Sequence, residues 1–295
     1  MEKVSTGEPQ HYFVPKPAIW PFLLIIGLVL AILGFGHWLE GTNPGIPWEI
    51  PFGIGIVLVW VMVFRWFWGV AHESERGAYN LQVDRTYRFG MGWFIFSEVC
   101  FFGAFFGALF YTHALSVPWL GGAGAKFFTG PVIWPHFAGM WPSNGPGGVG
   151  GDFRQMAPWG LPLINTILLI TSSFTITWAH HALKESRRAR CIAFMVLTVA
   201  LGIAFLLLQA HEYIDAYSEQ NLTLHSGVYG STFFMMTGFH GLHVTIGTIM
   251  LIAITCRLIF GHFNADRHFG FEGVAWYWHF VDVVWILLFT FVYVL

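Results

Sequence analysis

Residues 191–209, CIAFMVLTVALGIAFLLLQ, run without a single charged side chain. A helix needs about 20 mostly apolar residues to cross the hydrocarbon core of a bilayer, and this stretch is nearly that long. Lipid offers the backbone no hydrogen-bond partner, so a lone run of this kind reads as a transmembrane helix. Working outward, six more stretches qualify: 20–38, 52–70, 90–112, 162–182, 229–257 and 273–294. Pro47 and Pro51 blur the start of the second. The expected fold is an all-α integral membrane protein with seven transmembrane helices.

Composition agrees. The 295 residues are 56% hydrophobic, 19% aromatic and only 10% charged, where soluble domains carry about 25% charged residues. A net charge of -2 without a Lys/Arg run gives no footing for a nucleic-acid partner. Cys100, Cys191 and Cys256 stand singly in apolar stretches, so neither a disulfide framework nor a thiolate metal centre is expected. Residues 1–17 are polar and mixed in charge, and no small-residue cleavage site follows the first apolar run. That run is therefore expected to stay as the first span.

Twelve of the fourteen Lys and Arg fall on one side of a seven-span arrangement: Lys3, Lys16, Arg65, Arg76, Arg85, Arg88, Lys184, Arg187, Arg188, Arg190, Arg257 and Arg267. Lys126 and Arg154, in one long loop, fall on the other. Positive residues stay on the cytoplasmic side, which puts the N-terminus in the cytoplasm and the C-terminus outside. The setting expected is a bacterial inner (plasma) membrane with a periplasmic C-terminus. Trp20, Trp38, Trp66, Trp68, Trp159 and Tyr213 near span ends suit the headgroup level. The connection at about 113–161 contains GPVIWPHFAGMWPSNGPGGVGGD, and its Trp and Phe residues suggest a loop packed on something. No internal repeat supports an inverted-repeat transporter.

Ionisable groups at membrane depth are expensive, so each is a candidate for function. Glu98, in FIFSEVCFF, lies about 15 Å along the third span from Arg88, at about 1.5 Å per residue. It reads either as a proton-accessible carboxyl or as a protonated group hydrogen-bonded to a neighbouring helix. His279 and Asp282 share one face of the seventh span at a comparable depth, which makes a polar layer joining the third and seventh spans possible. His240 and His243 form a second pair, placed by counting in the outer half of the sixth span. Fourteen histidines invite a haem or copper site, with His180/His181 and His240/His243 as possible ligands. Membrane histidines more often bridge helices, so no metal is expected in this chain. At the cytoplasmic surface Arg65, His72, Glu73, Arg88, Arg257 and His268 could gather around a lipid headgroup, against the plainer reading of positive-inside charge.

FSEVCFFGAFF at 96–106, LPLINT at 161–166, TWAHHAL at 177–183, LLLQAHEY at 206–213, VYGSTFFMMTGFHGLHVTIGT at 228–248 and HFGFEGVAWYWHFVDVVW at 268–285 stand in this order along the chain. These strings resemble the third subunit of aa3-type cytochrome c oxidases. The resemblance runs from about Ile19 to the C-terminus. It implies two N-terminal helices splayed from a five-helix bundle, which divides the chain into residues 1–75 and 76–295. It also implies phospholipid bound in the cleft between them, with His72, Glu73, Arg257 and His268 at headgroup positions and Glu98 as the buried third-span carboxylate. On this resemblance the chain has no redox centre. Haem a and copper lie in partner subunits I and II of a hetero-oligomeric complex, whose proton uptake, oxygen access and durability the chain supports. The loop at 113–161 is longer than in the mitochondrial proteins, and His211 stands where other members vary, so neither takes a role.

Three other readings compete. The third subunit of a quinol oxidase would resemble only the last five spans, and the stretch from Trp20 to Val70 argues against it. A free-standing proton-coupled transporter would need a midplane site; Gly238, Gly241 and Gly247 could break the sixth span, but small residues equally allow close helix packing. A haem-binding membrane redox protein would draw on the histidine pairs.

Overall fold

Where the apolar runs end, the helices continue. The computed structural model describes residues 13–15, 17–40, 47–265 and 268–295, and seven helices in it are long and apolar enough to cross a membrane. They are α1 Trp20–Glu40, α2 Glu49–Glu75, α3 Leu81–Phe110, α4 Leu161–Lys184, α5 Arg188–Ser218, α6 Gly227–Phe260 and α7 Phe269–Leu288. The described residues contain no strand, so the all-α, seven-span class is the one observed. Lys3, Lys16 and Arg267, counted above, lie outside the described residues.

Helix ends differ from the apolar runs because charged side chains can reach water from a backbone that stays helical. The third span shows this most. It begins at Leu81, where the Asn80 side-chain oxygen accepts a hydrogen bond from the Val83 N–H at 2.9 Å and so caps the helix. Asp84, Arg85 and Arg88 fall inside it. Beyond Phe110 the chain takes a wider turn over Tyr111–Ser116, then one more helical turn to Leu120. Pro162 occupies the first turn of α4, where its missing N–H removes nothing. Gly261, at φ 87°, closes α6 in the left-handed conformation that glycine adopts without a Cβ clash.

The chain resolves into two compact units, Met1–Tyr87 and Arg88–Leu295. The division falls within the first turns of α3. Tyr79 lies just before it. Its hydroxyl donates to the Glu73 carboxylate at 2.8 Å and accepts from Tyr87 at 3.2 Å, tying the connection and the start of α3 to α2. Burial, together with the Tyr87 and Glu73 hydrogen bonds, raises the phenol above its ordinary pKa, so Tyr79 keeps its proton and remains a donor.

Within the first unit, the buried faces are made of small residues: Gly27, Ala31 and Gly34 on α1, Gly55 on α2. A methyl group at Gly55 would lie 2.4 Å from the Ala31 nitrogen, so the two backbones touch. In lipid this close approach supplies the dispersion and shape contact that water exclusion cannot. The Arg65 guanidinium sits 4.7 Å over the Trp20 ring.

In the second unit the core runs through α4 to α7, around fully buried Trp278, Trp285, Tyr277, Phe205 and Phe233. The indole N–H groups of its two fully buried tryptophans each have a partner on another helix. Trp278 donates to the Ser172 hydroxyl at 2.8 Å and Trp285 to the Thr166 hydroxyl at 3.0 Å, joining α7 to α4. Thr175 and Thr198 join α4 to α5 at 2.7 Å. The long connection packs down as its aromatics suggested. Trp141 and Phe153 lie against Tyr229 at 5.5 and 5.3 Å, and the Tyr229 N–H reaches the Ser143 carbonyl at 3.2 Å.

Candidate functional site

The clearest polar link at membrane depth joins α3 to α6. Glu98 Oε2 lies 2.9 Å from His243 Nε2, with side-chain exposures of 21% and 11%. His243 Nδ1 is 2.6 Å from the Phe239 carbonyl oxygen, which can only accept, so Nδ1 carries a hydrogen. The bond to Glu98 therefore needs one further proton, held on Nε2 or on the carboxyl oxygen. The pair is a proton-holding unit in either form. Phe102 packs edge-on against the His243 ring at 5.0 Å and Phe101 tilts over it at 6.0 Å, which keeps the unit in apolar surroundings.

The other deep polar groups divide among different helices. His279 meets α4 through Ser173 at 2.8 Å and Thr177 at 3.4 Å. The Ser173 hydroxyl also lies beside the Asp282 carboxyl, one oxygen of which closes no hydrogen bond. His240 is wholly buried; its Nε2 donates to the Val281 carbonyl at 3.1 Å and its ring packs on Trp285 and Phe205. The hydrogen bond from Glu98 thus runs to the sixth span and not to His279 or Asp282 of the seventh. Counting had put His243 in the outer half of its span. The helix is 34 residues long, Gly227–Phe260, and His243 lies near its middle, level with Glu98.

A second ionisable cluster closes one end of the same unit. Glu272, in the first turn of α7, is gripped through Oε2 by Arg88 of α3. Its Oε1 lies 3.4 Å from His180 Nε2 of α4 and 3.2 Å from His268 Nε2. The Arg88 guanidinium also covers the Phe269 ring at 5.1 Å. His268, expected at a headgroup, is 8% exposed and faces inward to this cluster. The other headgroup candidates have neighbours of their own. Glu73 accepts from Tyr79, His72 is 3.9 Å from Glu75, and Arg257 lies 4.6 Å over Phe263.

The comparisons with known proteins bear on the whole chain. The family model for cytochrome c oxidase subunit III matches residues 10–295. Cytochrome c oxidase subunit 3 of Pongo pygmaeus is 39% identical over 284 residues, 96% of each chain. That of Tachyglossus aculeatus aculeatus is 36% identical over 289 residues, 98% of each, and that of Latimeria chalumnae 37% over 283, 96% of each. The chain belongs to the cytochrome c oxidase subunit III family. It is an integral membrane protein, and membership implies a multi-subunit oxidase.

In this subunit III chain, sequence reasoning missed two arrangements. One is Glu212 of α5, fully buried beside the Tyr293 hydroxyl, with neither group closing a full hydrogen bond. The apolar run ends at Gln209, three residues short of Glu212, whereas the helix continues to Ser218. The other is the His180–His268–Glu272 group. Half of it was visible, since His268 and Glu272 are four apart in HFGFE, but nothing in the sequence brings residue 180 to them.

Proposed function

We propose that this chain is the accessory third subunit of a cytochrome c oxidase. It holds no redox centre and serves oxygen reduction by subunits I and II, where haem a and copper reside. The Glu98–His243 pair carries this reading: a carboxyl and an imidazole share a proton at mid-span, which suits support of proton uptake by a neighbouring catalytic subunit. The relatives named cytochrome c oxidase subunit 3 match this chain over 96–98% of its length, and so through the first two helices. The apolar outer surfaces of those helices, with Phe22, Ile32, Phe64 and Trp68 exposed, suit bound phospholipid and a hydrocarbon route for oxygen. His72, Glu73 and Arg257 are the groups offered to headgroups. The charge asymmetry supports a cytoplasmic N-terminus and a C-terminus on the opposite side, and the setting proposed with it is a bacterial inner membrane.

The test is a tagged chain purified in mild detergent, its visible spectrum taken before and after the partners are stripped away. Haem a absorbance should co-purify and leave with the partners, and oxidase lacking the chain should lose activity within fewer turnovers than the intact complex. Haem that stays on the isolated chain would overturn the non-redox assignment. Absence of haem from both samples would overturn the accessory role and revive the transporter.

A further inference from the structure

The geometry points to a divalent transition-metal site, of the kind zinc occupies, formed by His180 Nε2, His268 Nε2 and Glu272 Oε1. It is independent of the role proposed for the complex. These three atoms come from the last turns of α4, the turn before α7 and the first turn of α7, and all lie within 4.8 Å of one another. Two imidazoles and a carboxylate are a donor set that zinc accepts, with a fourth position left for water.

Three observations set the group apart from an ordinary ion-pair cluster. The first is distance. Charge-assisted N–H···O⁻ bonds run about 2.7–2.9 Å, whereas Glu272 Oε1 stands 3.4 and 3.2 Å from the two nitrogens. Ligands bound at about 2.0–2.1 Å around a tetrahedral ion lie about 3.3 Å apart, which matches the two Glu272–histidine separations, while all three atoms stay within 4.8 Å of one another. The second is direction. Both Nε2 atoms are buried, yet neither closes a hydrogen bond, although the carboxylate oxygen is near. A nitrogen within reach of the oxygen that closes no hydrogen bond to it is not directed straight at it.

The third observation is the support around the ligands. His268 Nδ1 is 3.2 Å from the Asn264 carbonyl oxygen, so Nδ1 holds the hydrogen and Nε2 presents its lone pair to the cluster. Metal-bound histidines are oriented in this manner by a carbonyl or carboxylate behind the ring. Arg88 holds the other oxygen of Glu272 and leaves Oε1 for the ion. A lone pair facing a carboxylate oxygen at 3.2 Å is repulsive unless a cation or a proton lies between them. Arg88 and the nearby Lys184 oppose a dication, so the metal should exchange and not be locked in.

The test uses the detergent-solubilised protein in the assembly it purifies with. It is stripped with a chelator, dialysed against Zn²⁺ alone, and its zinc counted by mass spectrometry per mole of this chain. The wild type should hold one more zinc than either His180→Gln or His268→Gln, and His211→Gln, at an exposed histidine, should match the wild type. Zinc X-ray absorption on the one-equivalent wild type needs no variant, and it should show outer-shell scattering from two imidazoles. Equal zinc in wild type and variants, or a spectrum without two imidazoles, would overturn the site and leave a protonated His–Glu cluster in its place.

Discussion

At Glu98 the chemistry of a single side chain decides what a substitution does. Its partner His243 already spends Nδ1 on the Phe239 carbonyl, so the Glu98–His243 bond exists only while one proton sits between them. Glu98→Gln supplies that hydrogen from its amide and should keep the pair, at a stability change under about 1 kcal/mol. Glu98→Leu leaves the His243 nitrogen unpartnered in an apolar setting and should lower stability by about 1–3 kcal/mol. Thermal unfolding of the two variants in the same detergent checks this, and Leu matching Gln would show that the hydrogen bond contributes nothing. The two variants should part again in the assembled oxidase. Gln fixes a hydrogen that Glu98 can release, so proton uptake should slow with Gln although assembly does not. The residue was legible in FIFSEVCFF as an isolated carboxyl, but its partner was not. His243 lies 145 positions away in sequence, and the length of α6, which sets its depth, cannot be read from apolar run alone.

The helices themselves were legible because lipid imposes one rule on all seven: satisfy the backbone internally for about 20 residues. What the rule does not reveal is how helices meet, and α1 with α2 shows why. Their hydrophobic runs are apolar on every side, so the packing face is marked by the absence of side chains at Gly27, Ala31, Gly34 and Gly55. A new methyl at Gly55 would stand 2.4 Å from the Ala31 nitrogen and 2.7 Å from the Gly27 oxygen, both backbone atoms that cannot swing aside. Gly55→Ala should therefore force the pair apart and lower stability by about 1–3 kcal/mol, as overpacking does. Gly53, with open space around it, is the control: Gly53→Ala should be neutral or slightly stabilising, since alanine favours a helix. Equal melting temperatures for the two variants would show that the close approach is not what holds these helices. The same limit hid the tie between the start of α3 and α2, since the Tyr79 hydroxyl that makes it lies in a short polar connection that reads only as a loop.

Across the whole molecule, the long connection and the charged end cluster answer opposite demands. The side rich in Lys and Arg carries the Arg88–Glu272 group, while the other side carries a glycine- and proline-rich loop with almost no charge. Such a loop stays ordered only by seating its aromatics on the bundle, and here the seat is Tyr229, contacted by Trp141 and Phe153. Backbone bonds from Arg154 N–H to the Gln220 carbonyl at 2.9 Å and from Tyr229 N–H to Ser143 close the two ends. Tyr229→Ala removes both ring contacts while keeping the backbone bonds, and should free the loop without unfolding the helices. A protease cleavage sequence placed at 147–150, in the exposed tip, then reports two things at once. In right-side-out spheroplasts the protein should be cut from outside, several-fold faster with Tyr229→Ala, and inside-out vesicles should protect it. Cutting only in inside-out vesicles would reverse the orientation read from the twelve clustered cations. Equal rates with and without the substitution would mean that the backbone bonds, and not the aromatic seat, hold the loop down.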